Sequence, residues 1–375
     1  MKNIKSGSAC NSSSIINTEG MNFDCKRVVK FSHKWLHIIE PTQFLPSTTD
    51  EINDAVANDP LLALLCLLVE EKAEIPDNCY QLYEEGLGVL LKKWDDRYQI
   101  EGDRLYKALS LQQKQDLLSI IALKTFEQGE YFFKDDIQGY ITDYLCNLHN
   151  TRIPPEVLQC TSEAVLKSIV LQHKLLVEQA PGVYSFSDLK FHQYFVAREI
   201  GEISNPQVLE ETLKHLLSHI SEQRWHGVFL QVVSMLRCAD HVLNLMKQQT
   251  DAIVTVDREL QRFLLWLNQR SISGKVGCKP SAFRAFYLEF ILDISTEDLF
   301  EDILPDYYGG ALTNVDSRLC ELIDFPFTEK QKVVLQQYYD ANQLLIDCLR
   351  HARYVTHSVR TEIKETLLVP SLHCS

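Results

Sequence analysis

The chain lacks the short signatures by which most catalytic and metal-binding proteins declare themselves. No G-x-x-x-x-G-K-[ST] run occurs, and Gly274-Lys275 is followed by Val276 without the glycine that a phosphate-cradling loop needs before it. Nucleotide hydrolysis by this chain alone is therefore not expected. There is no HExxH, and the eleven cysteines never approach CxxC spacing, which removes zinc ribbons and dithiol redox motifs. Their odd number and scatter fit reduced thiols of a cytoplasmic protein, with Cys66 and Cys348 placed in apolar helical patterns as small core residues. The longest clean apolar run, Leu61 to Val69, is about half of what a bilayer span requires. The first twenty residues contain no continuous apolar segment of the kind that directs secretion. Positive charge is also short: 37 Lys and Arg against 51 Asp and Glu give a formal charge of −14. Attraction to phosphate backbones or anionic lipid is correspondingly weak, so neither nucleic acid nor membrane is the expected partner.

What is present is a chain built to fold. The 375 residues are 45% hydrophobic and 23% charged, the balance of a globular protein with two or three domains. Residues 1–20 are rich in Ser, Asn and Gly and read as a disordered lead-in. A short helix with Val28, Val29, Phe31, Trp35 and Ile38 on one face follows, and this first segment closes at residue 49. Asp59-Pro60 is a helix start, since Asp caps free amides and Pro fixes φ where no donor is needed. The run LLALLCLLVEEK behind it is apolar all round, hence central. With a second helix near 78–94, it makes residues 50–108 a small helical bundle.

Residues 109–200 change character. Helix SLQQKQDLLSIIALKTF stops at Gly129, Tyr131-Phe132-Phe133 is a short β-like run, and helix DDIQGYITDYL follows. After a Pro154-Pro155 loop comes helix SEAVLKSIVLQHK, opened by Thr161 or Ser162. LLVEQ and VYSFS then flank a Pro-Gly turn as a hairpin. Three helices and a hairpin, closed by a helix from Asp188 to Ile200 carrying Phe191, Tyr194, Phe195 and Arg198, is the winged-helix order. Residues 201–375 give helix after helix without β signals. Thr328 with Gln331 forms a capping box ahead of a stripe of Val334, Tyr338, Ala341, Leu345 and Cys348. The fold class expected is mainly α: a helical bundle, a winged helix with a short hairpin, and a C-terminal all-helical domain.

Candidate chemistry is sparse. His215 and His219 stand one helical turn apart with His226 nearby, and His33 and His37 share the spacing. The intervening Leu216-Leu217-Ser218 supplies no acid, so surface or half-buried histidines are the expected reading and no metal is assigned. A metal-dependent hydrolase on that pair is the remote alternative. Cys79 or Cys160 as a nucleophile lacks any local signature. A winged-helix DNA-binding regulator is the nearer alternative, but its recognition helix region offers only Lys167 and Lys174 against Glu163, and the hairpin adds Glu178. Protein contact is the preferred use.

Several strings carry a resemblance: NDPLLALLCLLVEEKAEIPDNCYQLYEEGLGVLLKKWD, LSLQQKQDLLSIIALKTFEQGEYFF, SEAVLKSIVLQHKLLVEQAPGVYSFSDLKFHQYFVAREI, LNLMKQQTDAIV with KPSAFRAFYLEF, and YYDANQLLIDCLRHARYV. From about Asp50 onward the chain resembles bacterial NACHT proteins, signalling ATPases of the STAND class. There a P-loop core is followed by a helical domain, a winged helix and a C-terminal helical domain. That core would lie upstream of Asp50, where forty-nine residues leave it no room, so the expectation is the carboxyl-terminal portion alone. In the family the proline opening the helical domain packs near the adenine, which implies that role for Pro60. The family's winged helix resembles Phe-Ser-His-Leu-x-Phe-Gln-Glu-Tyr-Phe, whose His senses nucleotide phosphate; here Asp188 takes its place and His192-Gln193 replace the Gln-Glu pair. A carboxylate repels phosphate, so Pro60 and Asp188 are expected to be vestigial nucleotide positions. The resemblance implies a noncatalytic regulatory fragment with no cofactor of its own. ATP or ADP would enter only through a separately encoded NACHT ATPase core, the implied protein partner; an expressed remnant of a decayed gene is the other reading.

Overall fold

A computed structural model of the chain describes residues 64–68, 71, 79–93, 104–149, 155–273, 279–292 and 325–370. The segment 1–49 and Pro60 lie outside them. The fold is mainly α with one small antiparallel sheet, as the periodicity predicts. The chain divides into two compact units between Glu199 and Ile200.

In the first unit residues 64–68 are helical and every one of their side chains is buried, as an all-apolar run requires. They meet α1, Cys79–Lys93, at Gly86, where a Cβ would fall 2.8 Å from that of Leu64. The small residue is what lets the two helices close. A short α2, Arg104–Ala108, leads to α3, Leu111–Phe126. The side chain of Ser110 accepts from the amide of Gln113, and the Gln113 side chain accepts from the amide of Ser110, closing a capping box. Gly129, at φ 117°, turns the chain out of the helix into β1, Phe132–Phe133.

Helix α4, Lys134–His149, starts on Asp135 and Asp136, whose charges suit its N-terminal dipole. Helix α5 runs Pro155–Ser168 and widens into a π turn, Ile169–His173, that ends at a left-handed Lys174. This corrects the reading that Thr161 or Ser162 opens the helix. Proline in a first turn sacrifices no hydrogen bond, so Pro155 begins the helix; Thr161 and Ser162 are buried inside it, and the Ser162 hydroxyl donates back to the carbonyl of Gln159.

Strands β2, Leu176–Ala180, and β3, Val183–Phe186, form the hairpin, with Gly182 at φ 77° in its turn. The 131–133 run is the third strand: the order is β1-β3-β2, with Phe132 opposite Tyr184 and Leu176 opposite Phe186. Helix α6, Leu189–Gly201, buries Phe191 through Arg198 without interruption.

The described part of the second unit is helical: α7 Pro206–Ser218, a 3-10 turn Gln223–Trp225, α8 His226–Met235, α9 Asp240–Ile253, α10 Arg258–Ser273, α11 Pro280–Leu292, α12 Glu329–His351 and α13 His357–Glu365. Asn205 caps α7, its Oδ1 accepting from the amides of Gln207 and Val208. The continuous pattern WHGVFLQVVSMLRCADHVLNLMKQQ is two helices rather than one. Leu236 is extended, and the amide of Ala239 donates to the carbonyl of Tyr354, so the break is closed by a segment distant in sequence. The centre of the unit is α12, capped by Thr328 and Gln331 as expected and packed on α8, α9 and α11. Tyr338, Ala341, Leu345 and Cys348 are fully buried, and Val334 is half-buried at the stripe's edge. Cys66 and Cys348 are both core thiols; burial pushes that of Cys348 well above its ordinary range. No helix among the described residues is long and apolar enough to cross a membrane.

The Gly86 approach gives a direct test. Gly86→Ala should cost about 1–3 kcal/mol by overpacking against Leu64. Gly88→Ala, whose Cβ would sit 3.6 Å from Leu111 Cδ2, should be neutral or stabilising by up to about 1 kcal/mol through helix propensity. Chemical denaturation of both variants reads the difference.

Candidate functional site

The segment Phe186–Phe195, singled out for nucleotide sensing, is built as a structural joint. Asp188 lies between β3 and α6; its Oδ1 accepts from the amide of Lys190 at 2.7 Å and its carbonyl accepts from the amide of His192 at 3.3 Å. The carboxylate thus caps the helix. His192 is buried, with Nε2 at 3.1 Å from both the carbonyl of Ala122 and Oγ1 of Thr125. A carbonyl only accepts, so Nε2 carries the hydrogen. The Thr125 hydroxyl donates in turn to the carbonyl of Ile121 at 2.8 Å. The imidazole stacks on Phe186 at 4.2 Å between centroids and meets Phe126 edge-on at 4.7 Å. Two turns along α6, Arg198 donates to Ser119 Oγ at 3.1 Å and to Asp116 Oδ1 at 2.8 Å. Together these groups tie α6 to α3 through a mixed aromatic and polar seam.

A second buried polar group lies beside this seam. Lys114 Nζ stands 5.0 Å from the centroid of the Tyr106 ring, and Tyr106 meets His173 edge-on at 5.7 Å. Burial, helped by the Lys114 charge and opposed by a hydrogen bond with the Leu90 backbone, pulls His173 down to about 3. The ring stays neutral at ordinary pH. No local pattern signals this, because Lys114 falls among polar residues of an amphipathic helix.

The bases near α5 are internally compensated. Lys134 and Lys167 both pair with Glu163, at 3.1 and 3.7 Å, and the hydrogen bond and charge of Lys134, with Lys167, hold its carboxyl below the usual range. Lys174 sits past the helix in left-handed backbone. Cys160 is exposed on α5. His33, His37, Pro60 and the side chain of Cys79 lie outside the described residues.

His215 and His219 do meet. They occupy the last turn and C-cap of α7 with their rings 5.1 Å apart. His219 stacks on Trp225 at 4.3 Å, and its Nδ1 lies 2.8 Å from Glu222 Oε1. His226 has different electrostatic neighbours: burial lowers its pKa, and Asp340 and Asp347 on α12 oppose that fall.

The densest polar construction of the second unit is a clamp on the segment after α13. Arg284, fully buried on α11, donates through Nε to the carbonyl of Leu367 and through Nη2 to that of Glu365, both at 2.8 Å. Its Nη1 donates to Asn268 Oδ1 and Ser271 Oγ on α10, at 3.2 and 3.1 Å. Lys247 on α9 donates to Asp251 and, at 3.0 Å, to the carbonyl of Val369. Asn342 on α12 accepts from the amide of Leu368, a residue at φ 59°, and donates to the carbonyl of Tyr338. Three helices, α9, α11 and α12, thereby bond backbone groups of Glu365, Leu367, Leu368 and Val369, while α10 holds the guanidinium of Arg284. Burial holds the Arg284 guanidinium down to about 10. A single arginine inside the apolar run SAFRAFYLEF was the available signal for this site.

The family model of the NACHT C-terminal Helical domain 2 matches residues 315–370, which span α12, α13 and the clamped segment. No curated protein and no solved structure matches the chain. The match supports a NACHT-type C-terminal region.

Arg284→Met keeps bulk but removes every donor. It should lower stability by roughly 2–4 kcal/mol, since each carbonyl left dry costs about 1–3 kcal/mol, and should expose the segment after α13 to limited proteolysis. Arg284→Lys should fail to restore it, because an ammonium cannot span the same four acceptors.

His173 predicts a pH dependence. Its folded-state pKa of about 3 lies below the ordinary 6.5, so the unfolded chain binds the extra proton between those values. The stability that neutral His173 contributes is complete above pH 6.5 and is lost as pH falls towards 3, by up to about 1.4 kcal/mol per pH unit. Denaturation of wild type and His173→Gln at pH 7 and pH 5 should show the smaller loss in the variant.

Proposed function

We propose that the chain is a noncatalytic regulatory and protein-interaction region of a NACHT-type signal-transduction NTPase. Its nucleotide binding is lost or supplied by a separate chain. The observation that carries this reading is the family match over 315–370, a segment whose last residues are locked onto α9, α11 and α12 by Lys247, Arg284 and Asn342. The three helices, hairpin and closing helix of 111–201 support a winged helix in the first unit. The partner proposed is a protein, a separately encoded NACHT ATPase core in the first instance, and the compartment proposed is the cytoplasm.

The residues at the nucleotide-sensing position do not fit a phosphate. Asp188 presents a carboxylate, already accepting from the amide of Lys190, and His192 is turned into the aromatic seam against Ala122 and Thr125. An anion there meets like charge. The helix that a winged helix would present to DNA carries Lys167 against Glu163, which favours protein over nucleic acid as the contact.

Calorimetric titration of ATP and of ADP into the isolated chain should give no heat of binding. Micromolar affinity for either would overturn the loss of nucleotide recognition. In the same preparation, a low-salt gel shift with duplex DNA should show no retarded band, and native-cell co-purification should recover an ATPase subunit.

A further inference from the structure

The end of α7 and the turn that follows hold a cluster that the regulatory reading does not use. His215 and His219 are spaced four residues apart, so both rings leave one face of the helix. A ring nitrogen of each lies within 4.8 Å of the other. Two nitrogens bound to one zinc ion at about 2.1 Å stand at most about 4.2 Å apart, so a small rotamer adjustment closes the pair on a shared ion.

The ring of His219 is already oriented. Glu222 is brought back by the turn, its amide donating to the carbonyl of His219 at 2.9 Å, and its Oε1 lies 2.8 Å from His219 Nδ1. A carboxylate only accepts, so Nδ1 is the protonated nitrogen. The flat stack on Trp225, 12° from parallel, fixes the plane of the ring. What remains is Nε2, shielded from solvent and without a hydrogen-bond partner. In the neutral ring it is a lone pair with no donor to accept from, a deficit of about 1–3 kcal/mol for a buried acceptor. A carboxylate on one imidazole nitrogen with the other nitrogen vacant is the arrangement that orients and strengthens a histidine for a metal.

We propose that His215 and His219 form the protein half of a divalent transition-metal site. Imidazole nitrogens favour Zn2+, water completes the coordination, and Glu222 is a positioning residue that holds the tautomer of His219. The acid missing from Leu216-Leu217-Ser218 is thus supplied three residues after the pair, by a turn.

Zinc titrated into the full, reduced chain with 15N-labelled histidines tests this, read by long-range proton–nitrogen correlation spectra. The metal-free spectrum should show the Nδ1–H tautomer at His219, and stoichiometric zinc should shift Nε2 of His219 and a nitrogen of His215. Competition with a chromophoric chelator should show affinity falling at least about tenfold in both His215→Ala and Glu222→Gln. Both positions are exposed, so the variants should keep the wild-type Tm. Zinc that shifts neither ring, or an affinity unchanged in His215→Ala, as binding at one of the eleven cysteines would give, overturns the proposal. The result is independent of the nucleotide and partner tests.

Discussion

A buried guanidinium organises the second unit. Among the described residues Arg284 donates to two backbone carbonyls, one side-chain amide and one hydroxyl, and to no carboxylate. Such a charge tolerates burial only when those acceptors are held in place. The four-way bond therefore demands that α10, α11 and the segment after α13 arrive together. Lys247 and Asn342 extend the same logic to Val369 and Leu368, and the left-handed backbone of Leu368 is stabilised by that bonding rather than by its own side chain. The region matched by the NACHT family model ends one residue after the last clamped carbonyl.

The first unit rests on a related device with different chemistry. Along α6, His192 and Arg198 each reach α3 through a buried hydrogen bond, and aromatic rings from β1, β3 and α3 surround the imidazole. Asp188, at the head of that helix, serves as its cap. One short segment consequently fixes strand, turn and helix, and the groups that would have to face a phosphate are the groups that hold the joint. This is the physical content of the proposed loss of nucleotide sensing: the fold is retained because its aromatic and capping positions are retained.

Helices were legible where the pattern is local. The capping box at Thr328 and the stripe from Tyr338 to Cys348 follow from spacing alone, as does the glycine turn of the hairpin. The reading went astray where a distant segment decides. Pro155 looked like loop because two prolines adjoin. The bend at 236–239 is invisible in an unbroken amphipathic pattern, because its amide partner is the carbonyl of Tyr354. The β character of Phe132 and Phe133 is legible locally, but their pairing with Tyr184 and Val183 is not. Lys114 and His173 gave no signal at all, since burying a lysine against a ring depends on three separate elements.

The sequence by itself determined the helical class, the lack of a P-loop motif, the β-hairpin and the cap at Thr328, because each depends on residues within a turn or two of one another. Only the tertiary structure decided that His192 and Arg198 tie α6 to α3, that Arg284 clamps the segment after α13, and that Lys247 reaches the carbonyl of Val369. Those outcomes depend on which buried donor reaches which buried acceptor, a matter of geometry that no spacing along the chain encodes.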